Sequence, residues 1–418
     1  MQSRLQHLNS QFESQPTFNS GAVGAKHDDD IVIVSTARTA MTRAKKGPQR
    51  NTAPEAMLAP VLKDVLRKAN NLDPKLVEEI AIGNVCQPGA GSTTSRMGQF
   101  LAGIPASTPL YGINRLCSSG LQAVMNVAQE IRTNQIDIGI GGGVESMSMF
   151  SMTGQVDPNC ISELVYEHSE ASKCLMPMGL TSENVCSQFG ITRQMQDKMA
   201  VESHKKAAHC QKMGWSKEEI TPYETTVLDK DGNSKKIMVE MDDGVRPQTT
   251  LEGLAKLKPA FKKGGSTTAG NSSQVTDGAA VVLLTRRSHA KKLGLPIRGR
   301  IVSYACAGVP PEVMGIGPAV AIPKALEKAG LSVGDVGVWE VNEAFASQAT
   351  YSVETLKIPY DKLNQRGGAI ALGHPLGMTG ARMICTMFSE MERTGHKTGV
   401  VSMCIGTGMG AAGVFEHE

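Results

Sequence analysis

Apolar positions along this chain switch repeatedly between two spacings. Residues 31–34, Ile-Val-Ile-Val, form an unbroken apolar run, the mark of a strand covered on both faces. Residues 53–69 then carry a helical spacing, with Pro54 suited to a first turn. A strand is predicted over 80–85, and the apolar segment 110–113 runs into a turn of small residues. Leu121, Val124, Met125, Ala128 and Ile131 follow at helical spacing, which places Cys117 at the mouth of a helix N-terminus. Residues 136–140 return as a strand ending in Gly141-Gly142-Gly143. Strands alternating with helices predict a mostly parallel sheet covered on both sides.

From about residue 145 to 263 the texture changes. Methionines, a polar helix over 192–212 and the charged segment 229–243 read as an inserted, loop-rich region lying over the site. After Gly265 the alternation resumes and repeats the first half. Lys68-Ala69, Leu72, Val77 and a strand ending at Asn84 are echoed by Lys328-Ala329, Leu331, Val336 and a strand ending at Asn342. The strand that ends in glycines at 141–143 is echoed by residues 400–406. Two halves of similar topology would pack as a pseudo-symmetric pair with a site where their strand ends meet. Residues 1–29 lack sustained periodicity and read as an extension outside the fold. Within it, Leu5, Leu8 and Phe12 would line one side of a short helix, either a recognition element or three stray apolar residues in a tail.

Composition narrows the class without naming the chemistry. A chain of 418 residues with 40% hydrophobic content can bury a large core and divide into two or three domains. The net charge of +3 gives no sign of a nucleic-acid partner, and basic pairs such as Lys45-Lys46 and Lys205-Lys206 read as solvated faces. No apolar run reaches the roughly 18 residues of a membrane span. Nine cysteines without a C-x-x-C pair or a zinc-spaced Cys/His cluster predict free thiols, a reducing compartment and no metal site.

The candidate chemistry lies in four stretches. Cys117, in Asn114-Arg115-Leu116-Cys117-Ser118-Ser119-Gly120, sits where a helix dipole is expected to draw a thiol pKa below its usual value of about 8.5. Taken alone, a cysteine among small residues would pass for packing. The second half adds Asn342-Glu343-Ala344-Phe345, Gly373-His374-Pro375-Leu376-Gly377 and Cys404-Ile405-Gly406-Thr407-Gly408-Met409-Gly410. Only His374 among the histidines lies between glycines directly before a helix, predicted over 379–393. An imidazole within reach of Cys117 would help it ionise and offer an N–H to an oxyanion. Cys404, at a strand end stripped of packing partners by glycines, reads as an acid/base group, and Gly406 leaves a backbone N–H free to donate.

Together these stretches resemble the signature motifs of the thiolases, and Gly270-Asn271-Ser272-Ser273-Gln274-Val275-Thr276-Asp277-Gly278-Ala279-Ala280 resembles another block of that family. Residues 177–184 and 309–311 are most similar to the peroxisomal 3-ketoacyl-CoA branch. The resemblance implies an α/β fold of duplicated βαβαβαββ halves packed as a five-layered α/β/α/β/α core with an inserted loop domain. It divides the chain into an extension at 1–29, a first half at 30–145 completed by about 264–290, a loop domain at 146–263 and a second half at 291–418. The implied activity is thiolytic cleavage of 3-ketoacyl-CoA by CoA through a Cys117 acyl-enzyme, with Cys404 as acid/base. His374 and a water held by Asn342 would face the enolate oxygen, and the Cys117 and Gly406 N–H groups the tetrahedral intermediate. Ser273 and Met178 would line the pantetheine and acyl channel, with Arg246 against the adenine end of CoA. CoA enters as cosubstrate with no tightly bound cofactor, and the family implies a homodimer.

By the same resemblance, Arg4-Leu5 and Gln11-Phe12, five residues apart, read as an N-terminal peroxisomal targeting signal for an import receptor, with Phe12 where Leu or Ala is usual. One rival is an acetoacetyl-CoA thiolase, against which stands Pro177 where biosynthetic members usually carry His. A non-catalytic, lipid-binding relative would need a degraded motif, and every catalytic position is filled.

Overall fold

The apolar run at residue 31 becomes a fully buried strand, β1 (Ile31–Arg38), in the computed structural model, which describes residues 23–152, 156–229 and 231–418. The recognition element read at residues 4–12 lies outside the described residues. The first half adds β2 (Thr42–Arg43), α1 (Pro54–Lys68), β3 (Glu79–Gly83), α2 (Ser92–Leu101), β4 (Leu110–Ile113), α3 (Ser119–Arg132), β5 (Ile138–Ser146) and, after an insertion, β8 (Thr276–Arg286). Its sheet has the order β4-β3-β5-β8-β1, with β3, β4 and β5 parallel and β8 antiparallel to both neighbours.

The second half comprises β9 (Gly299–Gly308), α9 (Gly317–Ala329), β10 (Val338–Val341), α10 (Ala346–Leu356), α11 (Ala369–Leu372), α12 (Thr379–Thr394), β11 (Thr398–Ile405) and β12 (Met409–His417). Its order, β10-β11-β12-β9, repeats the first half in direction as well as sequence. The counterpart of β4 is reduced to a bridge between Trp339 and Leu363. There the Asn364 side chain stands in for a peptide unit, accepting from Val341 N and donating to Val341 O, both at 2.9 Å.

Period-two alternation distributes these strands between layers. Ala280, Val282 and Leu284 of β8 face a core shared with α3 and α12, while Ala279, Val281 and Leu283 face α1. In β11, Val401, Met403 and Ile405 face the same central core, and Val400 faces α9 and α10. The layers therefore run helix, sheet, paired central helices, sheet, helix, and the edges meet where Val32 and Ile33 pair with Arg300 and Gly299. Lying between two sheets, α3 buries Ala123 and Val127 as well as the five positions its spacing picked out.

The expected end of β5 at its glycines is corrected: the strand runs through Gly141–Gly143 to Ser146. These glycines mark close approach, because a Cβ at Gly143 would collide with the Gly377 carbonyl oxygen. That carbonyl also lies 2.6 Å from where a Cβ of Gly120 would stand, so the loop carrying His374 seats directly on the start of α3.

The insertion supplies α4 (Glu163–Glu167), α5 (Met178–Phe189), α6 (Arg193–Met213), a hairpin of β6 (Tyr223–Leu228) and β7 (Ser234–Val239), and α7 (Leu251–Ala255), while α8 (Arg287–Leu293) follows β8. The middle of the charged stretch at 229–243 is thus β7, one strand of an exposed β-ribbon, with Asp229 Oδ1 accepting from Asp231 N and Asn233 N where the ribbon turns. A buried ionic cluster clamps the insertion to both halves. Arg38 Nε donates to Glu219 at 2.7 Å and its terminal nitrogens grip Asp242 at 2.9 and 3.0 Å. Glu219 also accepts from Arg366 and Thr386, and Arg366 in turn meets Glu390. Losing one partner from such a set costs about 3–5 kcal/mol.

Candidate active site

Cys117 sits one residue before the cap of α3, in a turn that holds Leu116 at φ 47°. A branched side chain in that region is strained, by about 1–3 kcal/mol. Its neighbours hold it there: Asn114 Oδ1 accepts from Leu116 N at 2.9 Å, and the Ser119 hydroxyl donates to Leu116 O at 2.6 Å while accepting from Arg115 N at 2.9 Å. Asn114 and Ser119 therefore build the turn that aims the sulfur. Cys117 Sγ accepts from its own backbone N–H and from that of Gly406.

The expected lowered pKa of Cys117 is corrected. Burial pushes the thiol up to about 11, the two N–H groups pull down, and the carboxyl of Glu145 adds a smaller upward push. At 8% exposure, desolvation outweighs the helix terminus, so Cys117 rests as a thiol and needs a base to accept its proton.

His374 is held in a loop that packs against the start of α3. Its backbone N–H donates to Gln274 O at 3.0 Å, and Leu376 two residues on packs in the apolar cluster around Cys117. The Thr379 hydroxyl donates to Pro375 O at 2.9 Å, so at 2.7 Å it receives Nδ1–H of His374. This network assigns the ring lone pair to Nε2, which Asn342 Nδ2 approaches at 3.3 Å. Burial, with Arg382 nearby, lowers the imidazole pKa to about 3 and keeps it neutral. Asn342 Oδ1 is buried without a protein partner, an acceptor left open toward the site. The adjacent Glu343 points away, accepting from Ser203, Asn364 and Ile370 N, and braces the turn.

Cys404 closes the group from β11. It has no exposed surface, and burial followed by the neighbouring Cys117 drives its thiol well above the ordinary range. Its S–H donates to Gln348 Oε1 at 3.2 Å. Leu116 of the first half and Met178 of the insertion meet over Gly406, 3.1 and 3.5 Å from where its Cβ would be. Two sulfurs and a bare N–H thus meet from both halves, and Leu376 of the His374 loop packs in the Cys117 cluster.

Residues 31–288 match the profile of the thiolase N-terminal domain, and residues 295–417 that of the thiolase C-terminal domain. The chain belongs to the thiolase family. It is 55% identical to the peroxisomal 3-ketoacyl-CoA thiolase A of Mus musculus over 99% of this chain and 98% of that one. Among solved structures it resembles the dimeric peroxisomal thiolase of Saccharomyces cerevisiae, at a TM-score of 0.86 and 46% identity over 94% of this chain and 99% of that one. The acetyl-CoA acetyltransferase of Bacillus anthracis matches at 0.83 and 35% identity, over 93% and 99% of the two chains.

The remaining sequence candidates of this thiolase fall at different distances from the sulfurs. Met178 opens α5 and packs with Cys404, Met314 and Ala344. Ser273 is half-buried, its N–H donating to Ala344 O at 3.0 Å. Arg246 lies on an exposed segment, its backbone N–H donating to His204 Nδ1 at 3.2 Å. Sequence reasoning passed over Glu145, whose carboxyl accepts from Val85 N, Cys86 N and Gly377 N at 2.9–3.1 Å and ties the loop after β3 to the loop that carries His374. Its signal was an acid inside an otherwise apolar, glycine-rich strand. It also passed over Thr379 and Gln348, which the catalytic side chains touch directly.

Proposed function

We propose that this thiolase cleaves 3-ketoacyl-CoA with CoA in peroxisomal fatty-acid β-oxidation. The observation that carries this reading is that Cys117 and Cys404 neighbour each other from opposite halves, with the Gly406 N–H on the Cys117 sulfur and His374 held by Asn342 and Thr379. Cys117 Sγ attacks the 3-keto carbon as its proton passes to His374 Nε2, the ring nitrogen that carries the lone pair. With the thiol at about 11 and the imidazole at about 3, the proton leaves sulfur only as the C–S bond forms. The Cys117 and Gly406 N–H groups receive the tetrahedral oxyanion, each such donor being worth about 3 kcal/mol. The C2–C3 bond then breaks, His374 Nε2–H with an Asn342-held water faces the enolate oxygen, and the Cys404 thiol protonates the departing carbon. CoA gives its thiol proton to Cys404 and takes the acyl group from Cys117, whose sulfur recovers its proton from His374. Two products leave, acetyl-CoA and an acyl-CoA two carbons shorter, and the difficult displacement has been split in two.

Ser273 and Met178 line the pantetheine and acyl channel, and the exposure of Arg246 suits the adenine end of CoA, which stays near solvent. CoA is a cosubstrate, with no resident cofactor invoked. The chain works as a homodimer: β4 is a sheet edge, and Met97, Phe100 and Leu101 of α2 are about half exposed. Residues 4–12 direct it to a peroxisomal import receptor. The decisive experiment measures thiolysis across short, medium and long 3-ketoacyl-CoAs, with mass spectrometry of the acylated cysteine. The expected result is turnover beyond the four-carbon substrate with the acyl group on Cys117. Activity confined to acetoacetyl-CoA, or an adduct on another cysteine, would overturn it.

A further inference from the structure

Cys404 has to exist in two forms, a thiol before it protonates the carbanion and a thiolate after. Among the described residues, its own backbone N–H and the Gln348 side chain are the hydrogen-bonding groups that meet its sulfur. Gln348 lies in the first turn of α10 and is 1% exposed; its Oε1 takes the Cys404 S–H, while its Nε2 is buried with no protein partner. An orphaned amide donor in a dry site calls for an explanation. The stem of the side chain is clamped, since a Cβ on Gly315 would fall 2.7 Å from Gln348 Cβ. Its last torsion, between an sp³ and an sp² carbon, remains soft and two-fold. A half-turn about it exchanges an acceptor for a donor in the same place.

We propose that Gln348 is a positioning residue that serves both protonation states of Cys404, its carbonyl holding the thiol and its N–H holding the thiolate. The inference rests on the acid/base role proposed above for Cys404. In the first step the Cys404 S–H bond breaks, a C–H bond forms on the leaving carbanion, and the charge stays on sulfur. The amide turns and Nε2–H donates to that sulfur. In the second step CoA–SH gives its proton to Cys404, the S–H bond reforms, and the amide turns back. No proton leaves Gln348. Without the amide the thiolate would stand in a fully buried pocket beside a second sulfur, where desolvation and Cys117 both oppose it.

The test uses the full chain carrying Gln348→Met, a near-isosteric apolar end, and Gln348→Glu, which keeps an acceptor and a donor only while its carboxyl is protonated. Three readouts separate position from structure: acylation of Cys117 by p-nitrophenyl acetate, exchange of the acetyl-CoA C2 hydrogens with D2O, and the pH profile of that exchange. In Q348M, exchange and thiolysis should fall about 100-fold, within the range of general acid/base effects, while acylation stays within about three-fold. Q348E should exchange at low pH and lose activity about ten-fold per unit as its carboxyl ionises, a limb absent from the parent enzyme. Exchange in Q348M within three-fold of the parent overturns the proposal, as does a parallel loss of acylation and exchange, or a Q348E profile that superposes on the parent. A Cys404→Ala control separates the two readings, because turnover surviving in C404A rejects the acid/base role itself. An inactive C404A beside a normal Q348M rejects only the part given to Gln348.

Discussion

The two halves place different chemistry at the same point of the same topology. Gly83 of β3 pairs with Gly143 of β5, and Val341 of β10 pairs with Ser402 of β11. The residues just beyond are Asn84 and Glu145 in the first half, and Asn342 and Cys404 in the second. Asn84 is saturated, donating to Val144 O at 2.7 Å and accepting from Gln87 N at 2.9 Å. Glu145 is saturated by three backbone N–H groups. Asn342 keeps an open oxygen, and Cys404 has a single side-chain partner. Duplication supplied one strand-end pair whose polar atoms are all taken up in bracing the loops and a second that keeps an open acceptor and a thiol. Hydrogen-bond satisfaction distinguishes the two roles where fold alone cannot.

The sharpest way to break this contrast begins with the nucleophile, which the braced half contributes. Cys117→Ala should lower thiolysis by at least about 10⁴-fold and abolish the acyl adduct seen by mass spectrometry. Cys404→Ala, at the open strand end, should cost about 10³-fold in thiolysis, with acylation of Cys117 by a reactive ester still visible in stopped flow. The two asparagines should then separate. Asn342→Ala is expected to lower kcat by about 100-fold with little change in thermal unfolding. Asn84→Ala is expected to destabilise by about 1–3 kcal/mol in denaturant titration, with kcat changed less than about three-fold. Matching effects in the two variants would erase the distinction.

The smallest effect concerns Glu145, whose carboxyl burial raises to about 7. The native state then holds a proton that the unfolded chain has already lost, so this group's contribution is full below the ordinary carboxyl range and disappears as pH rises through about 7. Glu145→Gln should flatten the decline of melting temperature between pH 5 and 8. Removing the charge that pushes Cys117 up should also quicken its alkylation by iodoacetamide at fixed pH. A slope or alkylation rate indistinguishable from the parent would remove Glu145 from the site.

Much of this was legible in the sequence because it rests on local rules. The apolar run at 31–34 and the spacing from Leu121 to Ile131 are properties of neighbours, and they gave a strand and a helix. Cys117, His374 and Cys404 were legible because glycines and small residues around a reactive side chain make poor core. What escaped depended on partners far along the chain. The pKa of Cys117 follows burial assembled partly from Leu376, about 260 positions away, which outweighs both the local helix terminus and the Gly406 N–H. The glycines at 141–143 looked like a strand end because the backbone groups that crowd them, of Val124, Ala280 and Gly377 in turn, are not adjacent in sequence. Gln348 reads as an ordinary helix residue until Cys404 is set against it.

The ionic cluster at Arg38 has a consequence for how the polypeptide is made. Its acids arrive at residues 219 and 242, and Glu219 is itself balanced only when Arg366 and Thr386 come into place. While the chain is still emerging from the ribosome, the early portion therefore has a guanidinium with nowhere dry to go and cannot settle by itself. The cluster closes only when residues 219, 242, 366 and 386 are all in place, which ties the locking of the first half to the arrival of the second.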